Sequence, residues 1–208
     1  PVRISNFELE NIINNYSNVA NATGYGYMLG GHPMYQINFP SDGKSWLYDA
    51  STQYWSELTY AGTGRHRADF GVDYINQTIV ADYENGKLYE LDQNALDDNG
   101  ENIVMILRGR YIRNDKRNVR ISRLELGMET GVGLVSGQGS EPVASLRISK
   151  DGGQSYGTQT YSNIGAIGDY GARCVWKRLG VSTSGKGFFP VITITDPIKR
   201  VITDSMLI

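Results

Sequence analysis

The segment Val143-Ala144-Ser145-Leu146-Arg147-Ile148-Ser149-Lys150-Asp151-Gly152-Gly153-Gln154-Ser155-Tyr156 decides the fold class. Its first seven residues alternate. Ala144, Leu146 and Ile148 fall on one side and Ser145, Arg147 and Ser149 on the other, the period-2 pattern of a half-buried strand in an antiparallel sheet. From Ser149 onward the segment meets the Asp-box pattern S-x-D-x-G-x-[ST]-[WY] through Ser149, Asp151, Gly153, Ser155 and Tyr156. The Asp151 carboxylate is placed to accept from backbone N–H groups of its own turn, and Gly152 and Gly153 permit positive φ. Tyr156 is expected to pack on the strand that follows. A strand that runs into a turn braced by its own side chains is the signature of a hairpin, and it makes Asp151 scaffold.

Composition carries the same reading outward. The 208 residues include 14 tyrosines and 25 glycines, a mixture that favours strands joined by tight turns. Short alternating runs fill the region from about residue 26 to 92: Met34 to Phe39, Ser45 to Tyr48, Tyr54 to Leu58, Phe70 to Tyr74, Thr78 to Tyr83 and Leu88 to Leu91. Turn residues separate them, as in Pro40-Ser41-Asp42-Gly43 and Glu84-Asn85-Gly86. Asp42-Gly43-Lys44-Ser45-Trp46 is one residue short of the Asp-box and is expected to make a similar turn. Tyr48-Asp49 ahead of Trp55 resembles one blade of a kelch-type propeller. A propeller needs typically 4–8 blades of about 40–50 residues, so this region supplies about one and a half, and further blades are expected outside this chain.

Before the meander, Ser5-Asn6-Phe7-Glu8 has capping-box spacing and predicts one short N-terminal helix with Leu9, Ile12, Ile13 and Tyr16 on one face, closed by the polar Asn14-Asn15 and Ser17-Asn18 pairs and the glycines at 24 and 26. Asp92 to Asn102 is polar and reads as a linker. The expected division is therefore residues 1–95, a helix plus propeller-like β-meander, and residues 96–208, an antiparallel β-sandwich-like domain of about seven strands. In Val119 to Met128 the apolar phase slips, which predicts a β-bulge near Ser122.

The chemistry-bearing residues are few. A net charge of −2 gives no reason for tight, non-specific binding to nucleic acid or anionic membranes, and no apolar run approaches the roughly 20 residues that span a bilayer. The lone Cys174 shares a strand face with Trp176 and reads as a core residue, leaving no disulfide and no thiolate-rich zinc site. His32 and His66 lack metal-ligand spacing. No cofactor motif is present, so neither catalytic nor metal-binding residues are assigned. Asp69, Asp73 and Asp82 are the acids that could pair for glycoside hydrolysis, with nothing in the sequence to select them. The marked charge feature is Arg108, Arg110, Arg113, Lys116, Arg117, Arg120 and Arg123, seven of the 20 basic residues in one hairpin-like stretch. It is either a solvated strand face or a contact surface, the latter for an acidic neighbouring subunit or along a passage for DNA.

Several longer stretches carry a family resemblance. They are "SWLYDASTQYWSEL" (Ser45 to Leu58), "RADFGVDYINQTIVADYENGKLYELD" (Arg67 to Asp92), "SRLELGMETGVG" (Ser122 to Gly133), "SLRISKDGGQSYG" (Ser145 to Gly157), "IGAIGDYGARCVWKRLG" (Ile164 to Gly180) and "FFPVITITDPIKRVI" (Phe188 to Ile202). In order and content the chain resembles the packaged-DNA stabilisation, or tail-hub, proteins of short-tailed bacteriophages. The resemblance implies a non-enzymatic virion component of the phage tail, assembled in the host bacterial cytoplasm. It implies a homo-oligomeric ring, usually a hexamer, below the portal and adaptor proteins, which retains packaged DNA and holds the tail needle. Family members are longer, in keeping with a start at Pro1 that reads as a fragment. The competing reading is a fragment of a glycan-binding or glycoside-hydrolase propeller protein, supported by the Asp-box and by Tyr25, Tyr27, Tyr54 and Trp55 as candidate sugar-stacking aromatics.

Overall fold

The computed structural model describes residues 2–115, 117–182 and 185–207. The chain is all-β with several antiparallel sheets and one short α-helix, and it divides into two compact units, Pro1–Ala95 and Leu96–Ile208.

The first unit opens with α1 (Phe7–Asn14). Its cap is Asn6, one residue beyond the expected Ser5: the Asn6 side chain accepts from the Leu9 N–H at 2.8 Å. Ser5 donates instead to Glu10, which is also paired with Arg3, so Glu10 rather than Glu8 reaches back across the helix start. Leu9 is the residue that α1 buries, while Ile12 stays exposed. Four strands then form a meander in the order β1 (Thr23–Leu29), β2 (His32–Phe39), β3 (Lys44–Asp49) and β4 (Tyr54–Leu58). The helix ends at the expected Asn14-Asn15 pair, with Asn15 as its C-cap, and strand β1 lies where the glycines at 24 and 26 were expected to help close it. Those glycines make room rather than end an element, because a Cβ at Gly24 would sit 2.6 Å from the Tyr35 hydroxyl on β2. Gly30 and Gly31, both at positive φ, make the two-residue turn between β1 and β2.

A second meander follows, β5 (Ala68–Tyr74), β6 (Gln77–Asp82) and β7 (Leu88–Glu90). Its apolar side joins that of the first meander, where Tyr25, Tyr27, Ala68 and Val80 are buried together against Leu29, Met34, Leu47, Tyr89 and Leu91. A polar seam runs alongside. Gln36 and Asn38 are fully buried, and both side chains donate to the Ala68 carbonyl, at 2.9 and 3.0 Å. Ser45 donates to Asn38 at 2.7 Å and accepts from the His66 N–H at 3.1 Å. Buried polar groups are tolerated when paired in this way.

In the second unit the expected linker contains two two-residue strands, β8 (Asp97–Asp98) and β9 (Glu101–Asn102), closed by a turn at Asn99 and Gly100. The remaining strands are β10 (Met105–Arg108), β11 (Arg120–Met128), β12 (Val143–Ser149), β13 (Thr160–Asn163), β14 (Cys174–Val181), β15 (Phe189–Ile194) and β16 (Ile202–Leu207). They make one antiparallel sheet in the order β10-β15-β12-β13 and another in the order β14-β11-β16. Both sheets contribute to one core: Leu124, Leu126, Cys174 and Trp176 meet Ala144, Leu146, Ile192 and Ile194, with Ile164 and Ile198 from the connections.

Two expectations are corrected here. The basic stretch is not a hairpin of β10 and β11: β10 pairs with β15, and the chain stays bonded beside β15 as far as Ile112, while β11 pairs with β14 and β16, so the chain passes to the other sheet after Ile112, with one local bridge between Asn114 and Arg117. The register does shift between Ile121 and Arg123, but the extra residue belongs to the partner: Ile121 opposes Gly180 and Arg123 opposes Lys177, leaving Arg178 and Leu179 against Ser122. Arg178 takes the left-handed conformation this needs, with φ 59°. The apolar phase of β11 slips because Ile121 is buried outside the cluster that Leu124 and Leu126 join.

Candidate functional site

The β12–β13 connection gathers every residue of the Asp-box pattern. Ser149 ends β12 fully buried, donates to Asp151 Oδ1 at 2.7 Å, and accepts from the Gly153 N–H at 2.8 Å. Asp151 Oδ1 also accepts from the N–H groups of Gln154 and Ser155, both at 3.0 Å, while Oδ2 accepts from the Ser155 hydroxyl at 2.5 Å. The Ser155 hydroxyl and N–H, then Ser149 and the Gln154 N–H, hold the Asp151 carboxyl well below the usual carboxylate range. Tyr156 departs from expectation. It is substantially exposed and lies beside Arg147 of the preceding strand, 6.0 Å from guanidinium carbon to ring centre, rather than packing on the strand that follows. Asp42 departs too: it accepts from the Ser17 and Asn18 N–H groups, outside its own turn, because Pro40–Asp42 forms a 3-10 turn that directs the carboxylate back along the chain. Asp49 makes the local brace instead, accepting from Ser51 N–H at 2.8 Å and from Thr52 hydroxyl at 2.9 Å.

The basic residues do not converge on one face of one element. Arg108 ends β10, Arg110 follows it on the stretch bonded beside β15, Arg113 and Arg117 lie on the segment that passes to the other sheet, and Arg120 begins β11; all five are exposed. Arg113 lies 5.9 Å from the Tyr111 ring centre. Arg123 is half-buried and paired with Glu125, which removes it from any free cationic surface. Lys116 lies outside the described residues.

The acids considered for glycoside chemistry are all engaged by the fold. Asp69 accepts from Arg65 at 3.0 Å and Thr23 at 3.1 Å, and Asp73 accepts from the Thr78 hydroxyl at 2.7 Å and the Met28 N–H at 3.3 Å. Asp82, with no side-chain exposure, accepts from Arg67 Nε at 2.6 Å; desolvation pushes its carboxyl up, but Arg67 and the Glu84 and Asn85 N–H groups outweigh that and lower it. Of the candidate sugar-stacking aromatics, Tyr25 and Tyr27 are buried against each other, with ring centres 5.6 Å apart. Trp55 donates its indole N–H to the Ile4 carbonyl and pairs with Tyr48, which leaves Tyr54 as the exposed one. Cys174 is buried, and that burial pushes its thiol up to about 11. Among the described residues no group of three or more His, Cys, Asp or Glu is placed to hold a metal ion, and no helix is long and apolar enough to cross a membrane.

Sequence reasoning missed Arg65 and Arg67. Both are nearly buried: Arg65 lies 3.6 Å over the Tyr83 ring centre, and Arg67 spans Asp82 and Glu84 while lying 4.8 Å from Tyr60. The one available signal was the R-H-R run itself, which holds two cations in a segment otherwise made of turns.

Against this geometry the second unit has a relative. Residues 105–202 match the family described as bacteriophage P22 Gp10, β-sandwich. Over that part the chain is homologous to a phage tail structural-protein domain. The match begins at the first residue of β10 and ends at the first residue of β16, so it takes in the core that both sheets of the second unit share. No curated protein matches the chain.

Proposed function

We propose that the chain is part of a bacteriophage tail hub, a structural virion component that stabilises packaged DNA and links the portal and adaptor proteins to the channel-closing needle. The observation that carries this reading is the P22 Gp10 match over residues 105–202, coincident with two antiparallel sheets around one core. The second unit is read as the β-sandwich-like domain, and the two meanders of the first unit as propeller-like blades. The Asp151 turn serves as a brace between β12 and β13. Its carboxylate oxygens are already taken by the turn, and the candidate acids Asp69, Asp73 and Asp82 are committed to the fold, which supports a non-enzymatic role.

In this reading the protein acts as a homo-oligomer, a hexamer by its resemblance, in the virion after assembly in the host bacterial cytoplasm. The exposed arginines at 108, 110, 113, 117 and 120 face a neighbouring subunit or lie near packaged DNA, without base readout. Interrupting the gene in the phage that carries it tests the role. Particles are expected to fill and then lose their DNA, and complementation by the intact gene restores retention. Particles that retain DNA and stay infectious without it would overturn the proposal.

A further inference from the structure

Between the outer strands β13 and β14 the second unit has a cleft that the tail-hub reading does not use. The two strands approach at Ser162, whose hydroxyl accepts from the Val175 N–H at 2.7 Å and donates to the Val175 carbonyl at 3.1 Å. A further contact is the Trp176 indole N–H donating to the Thr160 carbonyl at 3.3 Å. Beside these contacts lies a cavity of about 340 Å³, in the range of ligand-binding clefts. Half-buried Ile148 and Leu179 form its apolar wall over the buried Leu146 and Trp176 of the core, and Lys150, Lys177 and Arg178 supply its cations. A neighbouring hollow of about 360 Å³ shares Ile148, Lys150 and Gly157 and extends the cleft along the Asp151 turn.

Three features indicate what fits there. First, no carboxylate among the described residues forms an ion pair with Lys150, Lys177 or Arg178, so three positive charges converge without internal neutralisation. They are also held in place: Lys150 Nζ occupies the space a side chain at Gly180 would fill, 2.8 Å from that Cβ position, and the β14 bulge re-aims Arg178 so that it and Lys177 both reach the cleft. Second, β14 is an outer strand. Val175 turns its N–H and carbonyl towards Ser162, so by alternation Lys177 turns its own to the same side, where no backbone bond from another segment among the described residues meets them. Third, the wall is apolar, which suits alternate side chains of an extended strand better than a run of phosphates.

We infer that this cleft binds an extended, acidic peptide segment of a partner protein by strand addition to β14, with its carboxylates on Lys150, Lys177 and Arg178 and its alternate apolar side chains against Ile148 and Leu179, above Trp176. A net charge of −2 for the chain argues against a general attraction for nucleic acid, so the selectivity rests on this local cluster.

The test is a titration of the ¹⁵N-labelled full chain with the peptide acetyl-Asp-Val-Glu-Val-Asp-Val-Glu-amide, following the Trp176 indole resonance. The resonance is expected to shift and saturate with Kd below about 1 mM, and to weaken as salt rises. Lys177→Glu with Arg178→Glu, both exposed in the free protein, is expected to weaken binding by about tenfold or more with an unchanged thermal midpoint. A Trp176 resonance unmoved by peptide, peptide binding that survives the double reversal, or a response to oligo-dT in place of peptide would each overturn the inference. Loss of the tail-hub role would leave this result untouched, since the titration uses the isolated chain.

Discussion

At Asp151 a single carboxylate closes one turn through five hydrogen bonds, from Ser149, Ser155 and the backbone of Gln154 and Ser155 directly, and through Ser149 to Gly153. Its lowered pKa has a defined consequence. A carboxyl depressed in the folded state adds stability that is fully present above its unfolded value, near pH 4, and is lost as pH falls through the folded value. Asp151→Asn is therefore expected to lower Tm at pH 7 by a few degrees, about 2–4 °C, with the difference from wild type shrinking below about pH 4 in a pH series of melts. Cys174, buried with its thiol raised to about 11, is expected to resist iodoacetamide in the folded protein at pH 8 and react readily in urea. Gly71 is a space requirement: a Cβ there would lie 2.4 Å from the Tyr25 ring, so Gly71→Ala is expected to cost about 1–3 kcal/mol in urea unfolding. The Asp-box residues and the core position of Cys174 were legible in the sequence because local patterns encode them. The role of Gly71 was not, since it depends on a ring 46 positions earlier in the chain.

At the scale of elements, most strands were legible because alternation and turn residues coincide, as in Tyr54–Leu58 and Val143–Ser149. Strand β1 was hidden by its own glycines, which read as punctuation while their purpose is to admit Tyr35 from β2. Pairing was less legible than strand existence. The arginines at 108–123 look like a hairpin because they are close in sequence, yet β10 pairs with β15 more than 80 residues on and β11 with β14 and β16, 48 or more residues on. The inward polar residues Gln36 and Asn38 were likewise unreadable, since their acceptor, the Ala68 carbonyl, is supplied by another meander. The β5–β6 pair depends on Arg67, which reaches from the residue before β5 to the fully buried Asp82 carboxylate. Arg67→Met strands that charge and is expected to destabilise the protein by about 3–5 kcal/mol, whereas Arg67→Met with Asp82→Leu is expected to recover much of the loss. Denaturant curves of the single and double variants measure both.

At the scale of the molecule, composition and turn density place the chain among all-β proteins, and the described strands bear this out. The absence of metal-ligand spacing in the sequence left function to resemblance, and the P22 Gp10 match supports the coarser part of it, a phage tail structural-protein domain over residues 105–202. The proposed assembly would lie in surfaces met by separate chains, which no periodicity within this chain encodes. The most direct measurement is native mass spectrometry of the full-length protein, alone and mixed with the portal and adaptor proteins of its own phage. A closed oligomer that forms or tightens on the portal–adaptor complex is the predicted result. A persistent monomer that leaves that complex unaltered would contradict the account.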